Sequence, residues 1–305
     1  MPGRQTYQEI QKSVEIFVLR VNSGAWGAVF TPRCWRTGSE QILNNIPDIV
    51  LVHGFPLDEA MWADQVKFLQ ALGARVFTPH LPGFGPRAGN PPHRCSISAF
   101  AEDIHHYMIR NCKLPCIIGG FSMGGYVVLA LLHRFAKDAC AAVFIDTHPA
   151  ADSPEARQGR MKSIANLQTD GIHSLVAQML PRLLSPTASP SLRHRVQEII
   201  TRQHPAGMIQ AQMAAAMRID QTAHLSQIAI PCLVVGGSLD VITPPDLMKN
   251  WQRNINGSQW VEIPNAGHLS PIEAPDAVNK AIAGFILNTV CPGLRPAASS
   301  GKNTN

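Results

Sequence analysis

Little in this sequence points to a membrane, a metal or a nucleic acid. No run of apolar residues approaches the ~18 needed to cross a bilayer. The opening stretch MPGRQTYQEIQKS is polar and lacks the apolar core of a secretory signal, so a soluble, cytoplasmic chain is expected. The seven cysteines (Cys34, Cys95, Cys112, Cys116, Cys140, Cys232 and Cys291) are odd in number and form no C-x-x-C pair. Cys112 and Cys116 have no partnering Cys/His pair at zinc-finger spacing. Cys116, Cys140 and Cys232 lie in apolar, strand-like contexts and read as small buried hydrophobes. Charged residues make up only 15% of the chain, and the net charge of +5 includes no basic block; the densest cluster is Arg193-His194-Arg195. The five tryptophans and three tyrosines are scattered, which leaves no platform for stacked bases. No internal repeat is present. No nucleic-acid and no membrane partner is therefore expected; the sequence is silent on oligomeric state.

What is present is a large apolar fraction, 45% of 305 residues, arranged in an alternating pattern. Buried strands are expected at 48–52, 75–78, 116–120, 141–146, 232–235 and 259–263. Helical spacing occupies 61–72, 98–111 (begun by Ser98), 123–135, 245–254 and 275–289. This rhythm predicts an α/β fold, a mostly parallel central sheet flanked by helices. It stops after Asp146. From His148 to about Ser226 only helical patterns occur, broken by Pro181, Pro186, Pro190 and Pro205, so this stretch reads as a helical insertion. The expected organisation is a core of residues 1–147 and 227–290, an insertion of 148–226, and a disordered polar tail of 291–305. Residues 1–45 are atypical; 14–21 and 25–30 suggest two short strands about an Asn-Ser-Gly turn.

Residues 119–125 read GGFSMGG, between a strand and a helix. Gly120-Phe-Ser-Met-Gly124 fits G-x-S-x-G, in which a serine occupies a strained strand-to-helix turn and larger side chains two residues away would collide. Ser122 is the candidate nucleophile. A hydroxyl needs a base, and the base a carboxylate to orient it. With the chain order Ser, acid, His, the base is His268 in the Gly267-flanked loop after the final strand. Asp240, in the loop GGSLDVITPP, is favoured as the acid over Asp146, which reads as a cap or tether at the start of the insertion; Asp246 reads as a helix N-cap. The oxyanion-hole donors are expected to be the backbone N–H groups of Met123 and Phe55. His53 reads as a structural hydrogen-bonding residue. His105 and His106 read as surface or packing residues.

These segments resemble the α/β-hydrolase superfamily over roughly Ile46 to Leu287. HGFPLDEAMW, LPGFG, GFSMGGYV, GGSLDVITPP and AGHLSPIEAP carry the likeness, in that order. The second, fourth and fifth lie at Leu81–Gly85, 236–245 and 266–275. Within the superfamily the chain is similar to 3-oxoadipate enol-lactonase-like hydrolases and to arylesterase and cofactor-free haloperoxidase groups. It departs from the pattern at His80, where Asp is common, and at Pro86-Arg87, where a serine is common. The resemblance implies that the insertion is a helical cap. It also implies hydrolysis of a small ester or lactone through an acyl-enzyme, with no cofactor and no metal. Apolar insertion residues such as Leu175, Met179, Leu180, Leu183, Met208 and Met213 would line a pocket or pack the cap, and Arg157, Arg160 or Arg182 would be available to a substrate carboxylate. Perhydrolysis, peracid-dependent halide oxidation and C–C bond hydrolysis use the same three residues. A non-catalytic receptor on the same scaffold is the alternative of another class.

Overall fold

The computed structural model describes residues 46–88 and 95–292; the strands expected at 14–21 and 25–30, and the tail beyond Pro292, lie outside the described residues. Six strands build one sheet: β1 (Ile49–Val52), β2 (Val76–Phe77), β3 (Cys116–Phe121), β4 (Ala139–Ile145), β5 (Cys232–Gly237) and β6 (Gln259–Ile263). Their spatial order is β2-β1-β3-β4-β5-β6, and every pairing is parallel. Strands covered on both faces read as continuous apolar runs, and every residue of β1, β3 and β5 is buried. Cys116 and Cys232 are among them, and burial pushes both thiols up, as expected of small core residues.

Helices cover the two faces: α1 (Ala63–Ala71), α2 (Ile97–Asn111), α3 (Met123–Phe135), then, after the insertion, α8 (Pro245–Gln252), the single turn α9 (Ser270–Glu273) and α10 (Pro275–Phe285). Helix α3 is buried from Met123 through Leu132, as befits a helix packed behind the central strands. Two starts differ from expectation. Helix α2 begins after Ser96, whose Oγ accepts the Ala99 N–H at 3.1 Å, so Ser96 and not Ser98 is the cap. Asp246 lies inside the first turn of α8, behind Pro244, and makes no capping bond.

Between β4 and β5 the chain forms helices α4 (Pro154–Asp170), α5 (Ile172–Leu183), α6 (Pro190–Thr201) and α7 (Pro205–Ala216) and contributes no strand. Its ends are fastened together: the Gln221 N–H donates to Pro149 O at 2.9 Å, and Arg218 Nε donates to Ala150 O at 2.9 Å. Leu175, Leu183 and Met208 are fully covered and serve packing, whereas Met217 is 69% exposed. No helix among the described residues is long and apolar enough to cross a membrane.

The chain runs from β1 outward to β2, then back across to β3, so the connections diverge between β1 and β3. In open parallel sheets such a divergence, at the carboxyl ends of the strands, is where ligands bind. The loops after β1, β3, β5 and β6 carry Phe55, Ser122, Asp240 and His268 to that same edge.

Candidate active site

Ser122 sits between β3 and α3 with φ 49° and ψ −116°, a left-handed φ that is strained for any residue but glycine. Its backbone is held on three sides. Its N–H donates to Ile145 O at 2.9 Å, and its carbonyl accepts the Gly125 N–H at 2.9 Å and the Thr147 hydroxyl at 2.7 Å. The neighbouring glycines answer a steric demand. A Cβ at Gly120 would overlap the backbone of Gly124, and one at Gly124 would overlap Val52 O and lie 2.7 Å from His53 O. Without side chains there, α3 starts directly against the end of β1.

The structure brings the three predicted side chains together. His268 Nε2 lies 2.9 Å from Ser122 Oγ, and His268 Nδ1 lies 2.8 Å from Asp240 Oδ2. Both His268 and Asp240 are buried. Asp240 also accepts the Thr243 hydroxyl at 2.5 Å and the amides of Ile242 and Thr243 at 2.7 and 2.9 Å. Burial alone would raise its pKa. The adjacent His268 ring and these donors outweigh burial and hold the carboxyl below its ordinary value. An ionised Asp240 only accepts, so it fixes the imidazole proton on Nδ1 and leaves Nε2 free to accept from the serine. A hydroxyl, an imidazole and a carboxylate in this order are the parts of nucleophilic acyl transfer.

Met123 is the first residue of α3, so its amide has no intrahelical acceptor, and Phe55 lies in the turn after β1. Among the described residues neither amide has a protein acceptor. The turn is braced by His53, fully buried, whose Nε2 accepts the Leu81 N–H at 3.1 Å and whose Nδ1 lies 3.2 Å from Gly54 O. Burial lowers the His53 pKa to about 4, so the ring is neutral, with its proton on Nδ1 directed to Gly54 O. Asp58 braces the other side. It accepts Arg202 Nε and Gln203 Nε2 from the insertion, each at 2.7 Å.

A family model described as "Alpha/beta hydrolase family" matches residues 49–281. The chain belongs to the alpha/beta hydrolase family. A thermophilic esterase from Thermogutta terrifontis is similar in structure, with a TM-score of 0.74 and 32% identity over 82% of this chain and 91% of that one. An enol-lactonase from Burkholderia xenovorans gives a TM-score of 0.71 and 27% identity, covering 79% of this chain and 92% of that chain. A pimeloyl-[acyl-carrier protein] methyl ester esterase from Neisseria meningitidis is 27% identical, covering 79% of this chain and 96% of its own length.

In this alpha/beta hydrolase the other polar residues singled out in the sequence take the following places. Asp146 does not tether the insertion. It is fully buried, with φ 45°, and accepts the Gly237 N–H at 2.8 Å and the Ser270 hydroxyl at 2.5 Å. It thus ties β4 to β5 and to the residue two beyond His268. Arg160 is engaged by Asp152 at 2.5 Å and Gln212 at 2.8 Å, so it is not free for a substrate carboxylate, and Arg157 is exposed with its Nε donating to Ala216 O at 3.1 Å. His105 stacks on Phe135 at 3.7 Å between ring centroids, a packing role. His80 pairs with Glu59 at 2.9 Å.

The sequence reading missed Thr147, His148, Arg218 and Glu273. Thr147 and His148 directly follow β4, and a strand's carboxyl end at this edge is the signal that could have found them. His148 Nε2 lies 3.3 Å from Arg218 Nη2 and 3.4 Å from the Tyr126 hydroxyl. Burial, then Arg218, lowers its pKa to about 4. Arg218 is spent on the protein: it pairs with buried Asp152 at 2.5 Å and covers the Tyr126 ring at 4.2 Å.

Proposed function

We propose that this alpha/beta hydrolase cleaves small carboxylic esters or lactones by covalent catalysis at Ser122. The observation that carries the reading is the unbroken chain from Ser122 Oγ through His268 to Asp240, with contacts of 2.9 and 2.8 Å. His268 Nε2 takes the hydroxyl proton as Oγ bonds to the substrate carbonyl carbon. The carbonyl oxygen gains the negative charge and is received by the Met123 and Phe55 amides, each worth about 3 kcal/mol to the transition state. His268 then returns its proton to the departing alkoxide, and the C–O bond breaks to leave an acyl-serine. A water, deprotonated by His268, attacks the acyl carbon. The acid leaves and Ser122 regains its proton. Asp240 orients the ring and offsets its positive charge throughout. Residues 148–226 act as a cap over the site and shape the substrate space.

The likeness to proteins described as an esterase, an enol-lactonase and a methyl ester esterase supports this substrate class. The test is turnover of p-nitrophenyl acetate and butyrate by wild type and by Ser122→Ala, with intact mass after treatment with a serine-reactive phosphonate. Activity that vanishes in the variant, with one adduct located on Ser122, is expected. No turnover and no adduct in folded wild type would overturn the mechanism and favour a ligand receptor.

A further inference from the structure

The insertion reaches the loop of His268 from outside. The Leu269 N–H donates to Leu183 O at 2.9 Å. On the other side of the histidine, the Gly267 N–H donates to Glu273 Oε1 at 2.8 Å. The second oxygen of the same carboxylate accepts the Ser185 N–H at 2.9 Å. Both chain neighbours of His268 are therefore fastened to the turn at 183–185, one directly and one through Glu273. Gly267 lies in the seam. A Cβ there would stand 2.6 Å from Ser185 N, 2.8 Å from Glu273 Oε1 and 2.9 Å from Leu184 C, so the insertion backbone approaches only because that side chain is missing. The turn is itself held by Arg193, whose Nη2 donates to Ser185 O at 2.9 Å and whose Nε donates to Ala188 O at 3.2 Å.

The sheet does not need these contacts. The inner side of the same loop is already tied to the loop after β5 by Leu239 N–H to Ala266 O and by Asn265 N–H to Ser238 Oγ, each at 2.8 Å. Glu273 adds an outer brace whose other end is the insertion. We propose that Glu273 is a positioning residue for His268, coupling the turn at 183–185 to the imidazole so that the insertion is a standing part of the reactive geometry. This rests on His268 being the base. A carboxylate presents two acceptors to two N–H donors. Glutamine presents one acceptor and one amide that would face a donor, and aspartate keeps the charge but is one methylene too short to span the gap.

The experiment compares wild type with Glu273→Gln, Glu273→Asp and Gly267→Ala in ester turnover, thermal unfolding and the NMR signals of the His268 ring, assigned by difference with His268→Gln. If the brace sets the ring, kcat falls about 10- to 100-fold, the scale of a misplacement of about 1 Å. KM then stays within about twofold, because ground-state binding is untouched. Both Glu273 variants show the loss, Gly267→Ala shows it too, and combining Gly267→Ala with Glu273→Gln adds little, since both break one seam. Wild-type kcat in Glu273→Asp overturns the bridge and leaves a pure charge effect. Lowered melting with kcat intact in Glu273→Gln overturns positioning altogether. If Glu273→Gln does not fold, Glu273→Asp and Gly267→Ala decide the matter alone. If wild type hydrolyses no ester but the His268 signals move in these variants while other histidines stay put, the hydrolase reading fails and the brace stands.

Discussion

Acid should loosen this protein through His53. The ring is fully buried, and burial takes its pKa from 6.5 to about 4. The unfolded chain therefore gains this proton near pH 6.5 and the folded chain only near pH 4. Between those values the unfolded state binds more protons, so stability is full above the unfolded pKa and declines as the pH falls toward the folded one. A gap of roughly 2.5 pK units is worth about 3 kcal/mol, of which about 2 kcal/mol is already lost at pH 5. Protonation also has a local consequence. An imidazolium cannot accept the Leu81 N–H, so the brace on the turn carrying Phe55 is released. Urea unfolding of wild type and His53→Gln at pH 7, 6 and 5 isolates the effect, because glutamine can accept from Leu81 but does not titrate. His148 titrates alike in both proteins and cancels. The stability advantage of wild type over the variant should shrink by about 2 kcal/mol between pH 7 and pH 5. Parallel stability curves would refute the reasoning, since His53 would then take up its proton without cost in the folded state.

Gly124→Ala should cost more than about 3 kcal/mol or prevent folding, because the new methyl meets rigid backbone at Val52 and His53 and no flexible side chain can yield; a urea midpoint or loss of soluble protein reads this. Asp146→Asn should stabilise the protein at neutral pH. Burial first and Asp240 second raise the Asp146 pKa well above the usual value, so the folded state resists ionising as the pH climbs, and the advantage of the variant should fade toward pH 4 in the same urea assay. Arg218→Met should cost about 1–3 kcal/mol, because it takes one of two cations from the Asp152 side chain and leaves it only Arg160; adding Asp152→Asn should recover part of the loss.

The core of the fold was legible because parallel strands covered on both faces must be apolar without interruption, and Ile49–Val52 and Cys232–Gly237 are. The strand ends then pointed to the candidate site, since Ser122, Asp240 and His268 each fall in a loop at the same edge. Boundaries were less legible where equivalent residues compete. Ser96 and Ser98 both precede the apolar face of α2, and only the bond from Ala99 chooses between them. β4 starts at Ala139 and not at Ala141, because Ala and Cys carry too little apolar signal to announce a strand. The bracing of the site was not legible at all. Asp58 with Arg202, Arg218 with Asp152, and Glu273 with Ser185 join residues far apart in the chain, and no local periodicity encodes which distant partner a charged side chain will meet.

Asp240 and Asp146 show how far environment decides what residue type alone leaves open. Both are carboxylates in the segments that follow neighbouring strands, and both are buried. Asp240 faces the His268 ring and gathers a hydroxyl and two amides, so its charge is favoured despite burial. Asp146 accepts the Gly237 amide and the Ser270 hydroxyl, but burial first and the field of Asp240 second push its pKa well above the usual carboxylate range. The two shifts have one logic: a second negative charge at this depth would raise the energy of the first. Asparagine can copy the hydrogen-bonding shape of an uncharged carboxyl at Asp146. Asparagine at Asp240, by contrast, would lose the charge that offsets the imidazolium. The same substitution at these two positions should therefore leave ester turnover nearly intact at Asp146 and reduce kcat by about 10³-fold or more at Asp240.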